Sequence, residues 1–250
     1  MYEFKYVRPN SVRQAANMLA KDTEAKILAG GHSLLPAMKL RLAKHTQLLD
    51  LGRIEGLNTI ELKGRSLVIG AMARHVDVAN SPVVKEALPS LAKLAGEIGD
   101  PAVRHRGTIG GSLANNDPNA DYPAAVLGLG ATVITNKRKI AADDFFKGMY
   151  ETALAADEVM TAVSFPVPKR AAYIKFPNPA SRFALVGVFV AQTANGVRVA
   201  VTGAAPSAFR SKPLEDALGK SFTADAAKAV RSTRRASMPT STARRSIALT

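Results

Sequence analysis

The 250-residue chain has no cysteine and no tryptophan, and aromatic residues make up only 6% of it. Without thiols it forms no disulfide, carries no thiolate nucleophile, and ligates neither an iron–sulfur cluster nor a cysteine zinc site. Four histidines without cysteine support do not read as a self-contained transition-metal centre, and His32 has no partner ligand at a suitable spacing. Long apolar runs are missing too: none reaches the roughly 18 residues that a membrane span needs. The start, MYEFKYVRPNS, is too polar for a secretory signal, so the expected location is the cytoplasm. Acids are scarce, 20 against 34 lysines and arginines, giving a net charge of +14. Such an excess invites a nucleic-acid reading. Five of those charges are the arginines of the acid-free stretch 231–250, however, and the rest are scattered. With so few aromatics for base stacking, no nucleic-acid partner is expected.

What the chain does have is a globular composition, 47% hydrophobic and 22% charged, long enough for a large core. Asn10 or Ser11 caps an expected helix through SVRQAANMLAK, whose Val12, Ala15, Ala16 and Leu19 share one face. AKILAGG reads as a short buried strand ending at Gly30-Gly31, LPAMKLRLA as the helix after it, and TQLLDL as another strand. Two alternating runs around Lys63-Gly64 signal a hairpin. SPVVKEALPSLAKLAGEI is helical in two pieces, the second opening at Pro89. DYPAAVLGLGATVITN reads as helix then strand, and EVMTAVSFPVP as a strand closed by prolines. From 171 the texture becomes strand-rich, with a hairpin turn at Ala194-Asn195-Gly196, and a domain boundary is placed near Pro168. Helices and strands alternate without an internal repeat, so the class is α/β or α+β.

Two glycine loops carry the chemistry: Ala29-Gly30-Gly31-His32-Ser33, and Thr108-Ile109-Gly110-Gly111-Ser112. A glycine pair after a strand serves either a tight turn or close approach of the backbone to a ligand. Successive free N–H groups there make an anion-binding concavity, and the neighbouring hydroxyls add donors. Taken singly, each loop reads equally well as a turn. No G-x-G-x-x-G follows a strand, so the Rossmann fingerprint is absent. LGKS at 218–221 mimics a P-loop tail, but Leu214 occupies the place of its first glycine, and a helix terminus is expected there.

The joint pattern of LAGGHSLLPAMKLRL and GTIGGSLANNDPNADYP, with IGDPAVRHRGTIGG and FPVP, closely resembles the FAD-binding medium subunit of molybdenum hydroxylases. That group includes carbon monoxide dehydrogenase and xanthine dehydrogenase-type enzymes. The resemblance runs from the FKYVRPNSVRQAANML stretch to about Phe222. It implies an α+β chain: a two-subdomain FAD-binding fold of the vanillyl-alcohol oxidase type over residues 1–168, divided at about 56, then a smaller α+β domain over 169–230. It also implies FAD as cofactor, clasped at its diphosphate by Ala29, Gly30, Gly31, His32 and Ser33 on one side. Thr108, Ile109, Gly110, Gly111 and Ser112 would close the other side.

By the same resemblance Asp121 stands where the family places a carboxylate on the cofactor, although an Asx turn or cap in NNDPNADYP is the competing reading. Met160 and Lys175 match positions near the cofactor, as does Ile98, an apolar residue that by default belongs to the core. Lys175 reads equally as a solvated lysine. Some relatives carry an acid followed by tyrosine where this chain has Arg182-Phe183. The resemblance implies electron transfer: a small iron–sulfur subunit delivers electrons to FAD, and a large molybdenum-cofactor subunit oxidises substrate. A stand-alone flavin oxidoreductase of the same fold is the alternative.

The ending, RSTRRASMPTSTARRSIALT, does not resemble the family's helical ending, which reads like ADLHGSAEYRAH. One coding of MPTSTARRSIALT spells that very string when shifted by two nucleotides. A frameshift after about Val230 is therefore expected, with 231–250 a basic disordered tail, the C-terminal domain incomplete, and a non-functional subunit as one consequence.

Overall fold

In the computed structural model, residues 1–230 are described, and the expected basic tail at 231–250 lies outside them. Chain order begins with β1 (Lys5–Val7), α1 (Val12–Lys21), β2 (Lys26–Leu28), α2 (Leu34–Lys39) and β3 (Gln47–Asp50). The three strands form a parallel sheet in the order β1-β3-β2. The Ser11 hydroxyl accepts the Gln14 N–H and starts α1, as the sequence suggests. Ala15, Ala16 and Leu19 then point inward against Leu49, Leu51 and Leu57.

Next come β4 (Ile60–Lys63) and β5 (Ser66–Gly70), a hairpin, then α3 (His75–Asn80), α4 (Pro82–Ala87), α5 (Pro89–Gly96), α6 (Pro101–Arg106), α7 (Ile109–Asn115) and α8 (Tyr122–Leu129). The chain returns through β6 (Thr132–Thr135), β7 (Lys139–Ala141), α9 (Ala142–Phe145), β8 (Phe146–Gly148), β9 (Glu151–Thr152) and β10 (Met160–Pro166). Strands β4-β5-β10-β6-β7 form an antiparallel sheet in that order, and β8 pairs with β9. The last unit is an antiparallel sheet of β11 (Arg170–Pro177), β12 (Ala184–Thr193), β13 (Gly196–Thr202) and β14 (Phe209–Arg210), with α10 (Lys212–Lys220) and α11 (Ala224–Lys228). The class is α+β. LGKS falls at the end of α10, so its resemblance to a P-loop is local spelling only.

Every residue of α8 is buried. A helix apolar all round must be enclosed on all sides, and α8 lies between α5, β10 and the β12–β13 sheet. One apolar cluster consequently runs from Leu67 and Ile69 through α8 to Tyr173, Phe189 and Ala200, past Pro168, which lies between β10 and β11. Five helices were not foreseen: α3, α6, α7, α9 and α11, which are short and lack a repeating apolar face. The helix read over LPAMKLRLA is shorter than expected and stops at Lys39. Among the described residues, no helix is long and apolar enough to cross a membrane.

Candidate functional site

The loop Ala29–Ser33 leaves β2 and enters α2. Gly31 has φ +77°, a conformation open chiefly to glycine. Gly30 is needed for space: a Cβ there would lie 2.2 Å from the Arg106 carbonyl oxygen and 2.7 Å from the Gly107 Cα. The two glycine loops thus meet backbone to backbone. Ala29 faces the second loop as well, because a Cβ at Gly111 would stand 3.8 Å from its own Cβ.

Their hydrogen bonding divides the labour in a way the sequence did not reveal. In the second loop the N–H groups from Ile109 to Ser112 are occupied: Ile109 donates to the Ala73 carbonyl at 3.0 Å, Gly110 to Ala71 at 2.8 Å, Gly111 to the Thr108 hydroxyl at 3.1 Å, and Ser112 to the Thr108 carbonyl at 3.0 Å. The expectation of a second cradle of free amides is therefore corrected. Its glycines serve close packing, since a Cβ on Gly110 would lie 2.6 Å from the Ala71 oxygen. In the first loop the N–H groups of Gly30, Gly31, His32 and Ser33 have no acceptor among the described residues. The Ser33 hydroxyl makes no cap bond to α2. Backbone donors rarely stay unpaired without a purpose, and consecutive ones form a concavity suited to an oxyanion. An anionic diphosphate fits that donor set.

A second group of expected residues converges on the β11 face. Asp121 is 3% exposed and makes no cap bond to α8, which removes the cap reading. The Lys175 ammonium lies 3.0 Å from its carboxylate, with a side chain only 4% exposed, so the solvated-lysine reading is corrected. Lys175 also donates to the Glu97 carbonyl at 2.9 Å, and the Tyr173 hydroxyl donates to Asp121. Burial pushes the Asp121 carboxyl up, while Lys175 and Tyr173 pull it back down. Ile98, next to Glu97, is half-buried against the core and accepts from the Arg104 guanidinium at 3.1 Å. Met160 is buried at the start of β10, beside the register shift that separates it from Ala162. Phe183 is exposed at the β11–β12 turn, where Arg182 has φ +60°.

Two contributors escaped the sequence reading. Tyr173 sits two residues before Lys175 on one strand, so period-2 alternation already places both on the same face. His75 gave no signal. Its N–H donates to the Gly107 carbonyl at 3.0 Å, and its ring edge would meet a Gly107 Cβ at 2.5 Å, wedged directly behind the junction of the loops. Burial, with His32 and Arg104 nearby, holds its imidazole down at about 4. His105, by contrast, is exposed.

Comparisons with known proteins show the family. Residues 2–168 match the family described as the FAD binding domain in molybdopterin dehydrogenase. The carbon monoxide dehydrogenase medium chain of Hydrogenophaga pseudoflava is 40% identical over 90% of this chain and 84% of its own. The nicotine 6-hydroxylase medium subunit of Paenarthrobacter nicotinovorans is 39% identical, over 87% of this chain and 80% of its own. Among solved structures, quinoline 2-oxidoreductase from Pseudomonas putida superposes with a TM-score of 0.84 at 32% identity, covering 94% of this chain and 90% of that one. The chain therefore belongs to the FAD-binding domain family of molybdopterin dehydrogenases, an oxidoreductase component whose cofactor is FAD.

Proposed function

We propose that the chain is the cytoplasmic electron-transfer subunit of a heterotrimeric molybdenum hydroxylase. A small iron–sulfur subunit supplies electrons, a large molybdenum-cofactor subunit oxidises the substrate, and an external acceptor takes the electrons. The observation that carries this reading is the first loop, whose four N–H groups have no acceptor among the described residues and which is held against the second loop at Gly30 and Gly107. FAD, when bound, can take up and release one or two electrons. The chain's own residues bind and orient it.

Gly30, Gly31, His32 and Ser33 would donate to the diphosphate, with Ala29 setting the loop's approach. Thr108, Ile109, Gly110, Gly111 and Ser112 would build the rigid wall behind it, the Thr108 hydroxyl being held by the Gly111 N–H. Asp121 and Lys175, locked together with Tyr173, would hold a fixed dipole toward the cofactor, and Ile98 and Met160 would supply apolar flanks. No side-chain base is assigned, because electron transfer requires none. The proposed division, 1–168 for FAD and 169–230 for the smaller domain, follows the same reading.

The test is elemental analysis of the complex isolated from the host through a tag on this chain. Iron and molybdenum accompanying FAD in fixed ratio support the proposal. FAD on a lone chain, without either metal, would support a stand-alone flavin oxidoreductase instead.

A further inference from the structure

The proposed function gives His75 no role, although its ring lies directly behind the loops. His75 opens α3, is 4% exposed, and its Nδ1 has no partner among the described residues. A buried polar atom left unpaired is costly, and an apolar side chain would fill the space without that cost. Burial also holds the imidazole down at about 4, so at neutral pH it carries no charge. With no bond at Nδ1 and no charge, what the ring supplies is its shape.

That shape is used at the junction of the glycine loops. Residues 71–75 and 107–110 run antiparallel: Gly110 donates to the Ala71 carbonyl at 2.8 Å, Ile109 to Ala73 at 3.0 Å, and His75 to Gly107 at 3.0 Å, with Arg74 bridged to Thr108. These bonds fix where Gly107 lies along the strip. They leave its height above the core to whatever fills the space behind it, and His75 fills it. A Cβ on Gly107 would lie 2.5 Å from the His75 Nε2 and 2.9 Å from Cδ2. The ring is backed in turn by the fully buried Tyr122 of α8, their centroids 5.4 Å apart. Gly107 also meets Gly30, whose Cβ would come within 2.7 Å of the Gly107 Cα. Close contacts therefore run from α8 through Tyr122, His75 and Gly107 to the first loop, and groups packed at this density transmit a displacement. Gly107 itself has φ −59°, which any residue adopts, so the ring and not the backbone is what excludes a side chain there.

We propose that His75 is the positioning residue of the FAD loop: its imidazole, acting through Gly107, sets how far the amides of Gly30 to Ser33 stand from the core and hence where they meet the diphosphate. The assignment rests on the role given to that loop in the proposed function. His75 acts through the loops and makes no contact with the cofactor in this role.

The test measures the Kd for FAD, from quenching of flavin fluorescence on the full chain stripped of FAD, together with melting temperature. The chains compared are the wild type, His75→Ala, Gly107→Ala, the double variant and Val84→Ala. Val84 is fully buried on α4, outside both loops, so its truncation reports loss of packing alone. Kd is expected to rise at least about tenfold in His75→Ala, where the strip sinks into the vacated space, and in Gly107→Ala, where the methyl is forced against the ring. In the double variant the methyl enters the space the ring has left, and Kd is expected to lie at least about threefold below that of either single variant. Val84→Ala is expected to lower the melting temperature with Kd within about twofold of the wild type. Gly107→Ala leaves every core side chain in place and decides the matter if His75→Ala does not fold. Wild-type Kd in either single variant would overturn the proposal, as would multiplicative effects in the double variant. So would a Kd that simply follows melting temperature, Val84→Ala included. A wild-type chain that binds no FAD would instead remove the loop assignment on which the inference rests.

Discussion

His75 shows how one buried ring is coupled to the solution around the protein. Its imidazole titrates near 4 in the fold against 6.5 in an unfolded chain, so the unfolded state takes up a proton first as pH falls. Its effect on stability is nil above 6.5, grows on acidification, and reaches its full loss near 4, about 3 kcal/mol. Thermal unfolding between pH 7 and 4.5 is expected to show this loss, and His75→Gln to flatten it; an equal slope in both would refute the assignment. The window is separable from that of Glu158, whose carboxyl is held down to about 2 by Arg138 and whose contribution fades only below 4.5. The Asp121–Lys175 pair makes a different point. Lys175→Met strands a buried carboxylate and is expected to cost about 3–5 kcal/mol in denaturant titrations. Adding Asp121→Asn should recover much of that loss; strictly additive costs would mean that the pair is not coupled. Asp121 and Lys175 were each recognisable from the sequence through resemblance. That they bond to each other, across 54 positions, was not, because nothing local to either residue encodes the partner.

At the scale of elements, the glycine loops were the most readable feature and their hydrogen bonding the least. Gly30-Gly31 and Gly110-Gly111 stand out in any reading of the chain. The amides of Ile109 and Gly110 are nevertheless consumed by carbonyls at Ala73 and Ala71, on a different element. Only the three-dimensional pairing reveals that Gly30 to Ser33 have no acceptor among the described residues while Ile109 to Ser112 do. This asymmetry can be tested with alanine. Gly30→Ala forces a Cβ onto the Arg106 carbonyl and should drive the loops apart, lowering FAD content at least about tenfold with the fold retained. Gly219→Ala, where nothing lies within 4 Å, should leave FAD content unchanged and stabilise α10 slightly. Equal FAD content in the two variants would contradict the close-contact argument. Termination of α2 illustrates the opposite failure of legibility. Periodicity carries the helix through LRLA, and no sequence signal marks Arg41 as the residue that turns left-handed.

At the scale of the molecule, the strand and helix content was legible because hydrophobic alternation and turn residues are local. The shared core was not. α8 lies before Pro168 in sequence, yet it is sealed by Phe189 and Ala200 beyond it. A fragment of residues 1–168 would therefore bare the buried face of α8, and it is expected to lack a cooperative thermal transition. A sharp transition with FAD bound would show that the two units are independent. The central claim is that the open amides of the first loop, set against the second, hold FAD. The most direct measurement is the FAD content of the purified chain, read from its visible spectrum and from the nucleotide released on denaturation, beside that of Gly30→Ala. The account predicts near-stoichiometric FAD in the wild-type chain and its loss in the variant. A folded, colourless wild-type chain, or a variant that retains full FAD, would contradict it.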